Sequence, residues 1–406
     1  MINQKKYFDN LENFLNSSLQ SHQFLHIYLS ENFFGDEGTT SLGIALAKCT
    51  NLSILTLTLL SYQIGDVGVS SLGSGLENCI YLSNLEFNLS NNQIGDEGAS
   101  SLGFSLGKCT NLSNLILNFI DNKIGAIGAS GLGCGLANCT NLSNLSLFLG
   151  WNQIGEEGAS GLGSSLANCT NISNLRLDLD HNKIGAFGVS GLGSGLVKCT
   201  NLINMILIFH SNQIGDDGVL GLSFALGKCT NLSNLTLNLY NNQIGAIGAQ
   251  GLGSGLLNCS NLSNLIVNLR KNKIDAIGVS GLGQGLVNCT NLSNLALILP
   301  YNQICAIGAS DLGSDIRGKV RSGATFFQTS FFQHIYIIII QNIFTEKINT
   351  EQKFIFKIAL NILEWFLMRK QILNKNSYSK LHIIDILEQF LLRKQILNKI
   401  HIQNCT

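Results

Sequence analysis

From Leu85 to Leu89 apolar and polar residues alternate, with Leu85, Phe87 and Leu89 separated by Glu86 and Asn88. A two-residue period puts successive side chains on opposite faces, so this segment predicts a strand with one buried face. Past Gly95 the spacing changes, and Ala99, Leu102 and Leu106 follow the three-to-four interval of a helix with one buried stripe. Asp96 or its neighbours can cap that helix, since acids suit a helix N-terminus. One strand, one turn and one short helix form a unit.

The unit recurs. Cys49, Cys79, Cys109, Cys139, Cys169, Cys199, Cys229, Cys259 and Cys289 stand 30 residues apart, and the frame around them changes little. It reaches back to Leu25 and forward to Leu312, giving ten units over residues 22–316, with the first and last degraded. A fixed period of this length marks a solenoid or array. One unit alone buries too few aliphatic side chains to offset the entropy of ordering it, whereas stacked units complete each other's core. The helices carry Gly103, Gly107 and their counterparts, each costing about 1 kcal/mol relative to Ala. That cost points to close backbone contact between neighbouring units. Strands pack about 4.8 Å apart and helices about 8–10 Å, so the stack is expected to curve with the strands inside.

The run Leu82-x-x-Leu85-x-Phe87, then Asn92-x-Ile94-Gly95-x-x-Gly98-x-x-x-Leu102-x-x-x-Leu106, resembles the ribonuclease-inhibitor-like leucine-rich-repeat family. The resemblance covers residues 22–316 and recurs in phase. It departs in one respect, because Leu85 to Asn92 reads Leu-x-Leu-x-Leu-x-x-Asn, two residues longer than the family's run. The resemblance implies an α/β leucine-rich-repeat solenoid, a curved β/α horseshoe of about ten 30-residue units with helical flanks. It also implies that the Asn series (Asn32, then Asn92 to Asn302, interrupted only by Tyr62) turns the chain and hydrogen-bonds neighbouring backbone. The function implied is a non-enzymatic scaffold that binds a protein partner on its concave strand face. Two alternatives follow from branches of similar arrays: a regulator of a small GTPase, or a docking or sensor array of a kinase-linked signalling protein. The GTPase branch uses an Asn-Arg-Leu loop, where this chain has Gln63, Gln93, Lys123 and their equivalents, never Arg.

The ends differ from the array. Tyr7, Phe8, Leu11, Phe14, Leu15 and Leu19 stand at helical spacing and predict a capping helix over residues 1–21. Residues 317–406 read as a low-complexity, helical tail with amphipathic patterns around Ile355–Leu367 and Ile383–Leu391. Within it, residues 324–345 carry no Asp, Glu, Lys or Arg, but Gln328, Gln333, His334 and Asn342 interrupt the apolar run. Polar groups in lipid are costly, so a membrane span is not expected there.

Charge narrows the function. With 25 Lys+Arg against 25 Asp+Glu the chain has no basic surplus, which argues against nucleic acid or an acidic membrane as partner. The N-terminus lacks the apolar run of a secretory signal, so a cytoplasmic setting with the 12 cysteines as free thiols is the expectation. The cysteine series lacks the short spacing of metal sites and reads as small buried hydrophobes. No phosphate-binding glycine loop, kinase motif or His-Glu-x-x-His occurs, so no catalytic, cofactor or metal residue is assigned. Asp178, Asp180 and His181 come nearest to an acid–base cluster and read as a polar strand face.

What differs between units are the outward strand and turn positions. Phe148, Trp151, Arg176, Asp178, Asp180, His181, His210, Tyr240, Arg270, Lys271 and Tyr301 are the candidate protein-binding residues. Trp, Tyr and Arg dominate binding hot spots, so Trp151, Arg176, Tyr240 and Arg270 lead that group.

Overall fold

A computed structural model of the chain describes residues 6–29, 35–59 and 63–305, positions 308, 311, 312 and 315, and the backbone of residues 324–328 and 336–340. The chain divides into Met1–Asn342 and Ile343–Thr406, and all described residues belong to the first unit. After β1 (Lys6–Phe8) and α1 (Leu11–Leu15), strand and helix alternate: β2 (Phe24–Leu29), α2 (Gly35–Leu46), β3 (Ile54–Leu59), α3 (Asp66–Leu76), β4 (Asn84–Asn88), α4 (Asp96–Leu106), β5 (Asn114–Asn118), α5 (Ala126–Leu136), β6 (Asn144–Phe148) and α6 (Gly155–Leu166). The series continues with β7 (Asn174–Asp178), α7 (Ala186–Leu196), β8 (Asn204–Ile208), α8 (Gly215–Leu226), β9 (Asn234–Asn238), α9 (Ala246–Leu256), β10 (Asn264–Asn268), α10 (Ala276–Leu286) and β11 (Asn294–Ile298). Strands β1 to β11 pair in chain order, all parallel, in one open sheet. From β2 to β11 each residue faces its equivalent one period on, as Leu85 faces Leu115 and Leu115 faces Leu145. This is the solenoid that the periodicity predicts.

The core follows from the two spacings. Leu85, Phe87 and Leu89 of the strand, Ile94 of the turn, and Ala99, Leu102 and Leu106 of the helix are all buried, while Glu86 is exposed. The helix glycines do what their cost suggested. A Cβ on Gly135 would lie 1.7 Å from the Gly103 carbonyl oxygen, and one on Gly195 would lie 1.8 Å from that of Gly163. Adjacent helices therefore touch backbone to backbone at these positions. The nine ladder cysteines are buried free thiols. Each thiol from Cys79 on donates to a carbonyl of the preceding unit, as Cys139 does to Leu106 at 3.2 Å and Cys199 to Leu166 at 3.4 Å. Burial pushes the Cys199 thiol up to about 12 and that of Cys229 up to about 11.

Three expectations change. The acid at the helix start does not cap its own helix: Asp66 Oδ1 accepts from the N–H groups of Gly95 and Gly98, and Asp96 Oδ1 from those of Gly125 and Gly128. The N-cap position of α4 is Gly95, which has no side chain to accept a bond, so the carboxylate one unit back supplies it. Where that position is Asp275 the cap is local, with Gly278 N–H donating to it at 2.9 Å. At the N-terminus, Tyr7 and Phe8 lie on a strand rather than in one helix over residues 1–21, and helix is confined to Leu11–Leu15 and a 3-10 turn at Leu19–Ser21. Pairing β1 with β2 satisfies an edge that would otherwise be open, and Phe14 fills the space beneath it. Finally, two segments of the tail expected to be helical are strands, β12 (Ala324–Gln328) parallel to β11 and β13 (Tyr336–Ile340) antiparallel to β12. The β-branched run Ile337–Ile340 suits that state. Among the described residues no helix is long and apolar enough to cross a membrane. The amphipathic patterns beyond residue 343 lie outside the described residues.

Candidate functional site

Each strand from β4 to β11 leads into a turn held by one asparagine. Asn212 Nδ2 donates to the carbonyls of Leu179, in the preceding unit, and Phe209, at 2.9 and 3.1 Å. Its Oδ1 accepts from the N–H groups of Asn182 and Ile184. Asn122, Asn152 and Asn272 repeat the pattern, so the role implied for this series is met. Because the clamp joins neighbouring turns, it presents the two residues before each Asn in the same geometry along the stack.

The nearer of those two residues is left-handed throughout: Asn91, Asp121, Trp151, His181, Ser211, Asn241, Lys271 and Tyr301 have φ between 51° and 58°. The other column reads Ser90, Ile120, Gly150, Asp180, His210, Tyr240, Arg270 and Pro300. From Trp151 onward the columns join into a row. The Trp151 and His181 rings stack at 3.9 Å and 14°, His181 meets His210 edge-on at 4.8 Å, and His210 meets Tyr240 edge-on at 4.3 Å. The Arg270 guanidinium lies 5.7 Å from the Tyr240 ring and 4.8 Å from that of Tyr301. Trp151 remains 54% exposed and Tyr301 42%, so both ends of the row present a ring to solvent.

Beside the row, on β6 and β7, the Arg176 guanidinium lies 4.8 Å from the Phe148 ring. Its Nε is buried without a hydrogen-bond partner among the described residues. Asp178 Oδ1 accepts from the Asp180 N–H at 3.3 Å. Burial first, and then the neighbouring charge of Asp180, pushes the Asp178 carboxyl up to about 6. Asp180 Oδ2 stands 3.3 Å from His181 Nδ1 and 3.9 Å from His210 Nδ1. Burial, followed by His181, holds His210 below the ordinary histidine range, with Lys271 adding in the same direction and Asp180 opposing.

Of the eleven sequence-derived candidates, Phe148, Arg176 and Asp178 lie on strands and the other eight in the two turn columns. Lys271 shares the left-handed column and acts on His210 only through its charge. Two features escaped the sequence reading. Ile116 and Ile266 also face outward and are exposed, as their phase against Leu115 and Leu265 would have shown. At the first position of each strand from β5 to β11, an Asn amide donates to the Asn of the preceding strand, as Asn114 does to Asn84 at 2.8 Å and Asn234 to Asn204. This ladder was visible only as the recurring Ser-Asn-Leu phrase.

The sequence profile of the Leucine Rich repeat family matches residues 82–103, which hold β4, its turn and most of α4. The same strand and helix recur at this period through the array. No curated protein matches the chain.

Proposed function

We propose that this leucine-rich-repeat protein is a non-enzymatic scaffold that binds a protein partner through the turn row and the adjoining strand face. The observation that carries the reading is the unbroken row from Trp151 to Tyr301, in which aromatic, imidazole and guanidinium groups of consecutive units touch. Such groups bring a large, rigid contact area and dominate interface hot spots. At about 4.8 Å per strand, six units make a strip roughly 24 Å long, the scale of one side of a standard interface.

Backbone preference does not account for the row. A non-glycine residue in the left-handed region costs about 1–2 kcal/mol, least for Asn and Asp. Trp151, His181, Lys271 and Tyr301 occupy it nonetheless, which supports a role for their side chains. The ribonuclease-inhibitor-like subtype rests on the Leu, Asn and Gly spacing, and with the curvature it implies the row lies on the hollow side. A cytoplasmic setting accords with the free buried thiols. Domain limits of 1–21, 22–316 and 317–406 remain part of this proposal. Nothing favours GTPase activation, since the exposed turn positions from Gln63 to Gln303 carry only Gln and Lys. A kinase-linked role needs a catalytic domain outside this sequence.

The test compares capture by native protein, by a Trp151→Ala/Arg176→Ala/Tyr240→Ala variant and by a helix-face control, Ile127→Ser/Phe187→Ser. Loss of a captured protein in the first variant alone is the expected result. A partner retained by that variant and lost by the control would move the interface to the helices and overturn the reading.

A further inference from the structure

We propose that Asp180, His181 and His210 form a binding site for a divalent transition-metal ion of the zinc type. The inference goes beyond partner binding and needs no partner to be tested. A carboxylate and two imidazoles form a donor set suited to zinc and its transition-metal neighbours, whereas magnesium and calcium prefer oxygen alone. One ligand atom from each residue lies within 4.8 Å of the other two. Zinc bonds of about 2.0–2.2 Å in a tetrahedron set ligand-to-ligand edges near 3.4 Å. The Asp180 Oδ2 to His181 Nδ1 separation, 3.3 Å, already has that length, and the 3.9 Å to His210 Nδ1 closes with a small side-chain rotation.

The frame holds this geometry. His181 donates its backbone N–H to the His210 carbonyl at 2.9 Å, and Asn182 donates its own to Asn212 Oδ1 at 3.1 Å, which staples the two turns together. Trp151 stacks on one imidazole and Tyr240 packs edge-on to the other, restraining both rings as outer groups do in metal sites. Asp178 adds a second acid beside Asp180, with Arg176 the cation that acts on it, while the positive charge of Lys271 acts on His210. The three ligand side chains are part-exposed, so an ion has a path in and keeps a coordination position open to solvent. The site is composite, because His210 belongs to the unit after Asp180 and occupies the same column.

The repeat supplies its own conservative replacements: Asn91 and Asn241 occupy the position of His181, Ser90 that of Asp180 and Ile120 that of His210. The full-length protein, stripped with chelator and kept reduced, is titrated with zinc by calorimetry and with cobalt by absorption. The expected result is one ion bound, with cobalt bands that lack a thiolate charge-transfer component. His181→Asn and His210→Ile should each weaken binding by about 100-fold or more, with unchanged circular dichroism, while Glu86→Gln binds as native. Affinity unchanged in His210→Ile, a thiolate–cobalt band, or no saturable binding above that of a His181→Asn/His210→Ile variant would overturn the site.

Discussion

At the residue before the clamping Asn, the turns after β4 and β5 share their left-handed backbone with the turns after β6 to β11, but not the run of rings and cations. Asn91 and Asp121 have φ of 57° and 58°, Trp151 and Tyr301 57° and 58°. Asn122 clamps the earlier turn as Asn272 clamps the later one, each donating to the carbonyl of the preceding unit. Yet the earlier turns present Ser90, Asn91, Ile120 and Asp121, ordinary residues for such positions, and the later ones present the row of rings and cations. A frame that accepts both sets does not require the second. Repetition fixes how a side chain is presented, and leaves open what is presented.

Breaking the frame should have the largest effect and should ignore which turn lies nearby. Gly195→Ala drives a methyl into the Gly163 carbonyl 1.8 Å away, backbone against backbone. It should cost about 3 kcal/mol or more, read as a lower denaturant midpoint. Asn212→Ala leaves the Leu179 carbonyl and the Ile184 N–H without their partner. Each unsatisfied buried group costs about 1–3 kcal/mol, so a loss near 2–3 kcal/mol is expected in the same measurement. Because that turn also carries His210, this variant should weaken any ligand of the row as well, which Gly195→Ala should do only on unfolding.

The contrast between frame and surface can be sharpened chemically. Cys134 and Cys305 are exposed, whereas burial raises the thiols of the ladder to about 11 or 12. A raised pKa means less thiolate at neutral pH, so Cys199 should alkylate at least about 100-fold more slowly than Cys134 in the native state. Mass spectrometry of labelled peptides reads this directly. Raising the pH toward 9 should leave Cys199 protected, because its thiol is pushed up to about 12.

Much of this was legible in the sequence because two periods, two residues and three to four, fix which side chains are buried, and the 30-residue recurrence fixes the register. The columns of the site follow from the same arithmetic, which is why Trp151, His181, Tyr240 and Tyr301 could be named together. Pairing was not legible. Spacing alone cannot say that Asp96 caps Gly125 rather than its own helix, nor that His210 leans toward Asp180 one unit back. The strand at Lys6–Phe8 was hidden because Tyr7, Phe8 and Leu11 also fit a helical stripe, and only an open sheet edge decides between them.

The smallest expected effect tests the separation of frame and face most directly. In a variant carrying Trp151→Asn, His181→Asn, Lys271→Asn and Tyr301→Asn, left-handed strain is relieved at four turns, about 1 kcal/mol or more each at the upper end. Against that stands the loss of ring contacts worth about 0.5–1.5 kcal/mol each. The denaturant midpoint, measured in chelator, should therefore equal or slightly exceed that of the native chain. A clearly lower midpoint would show that the row helps to hold the stack together, and would contradict the account.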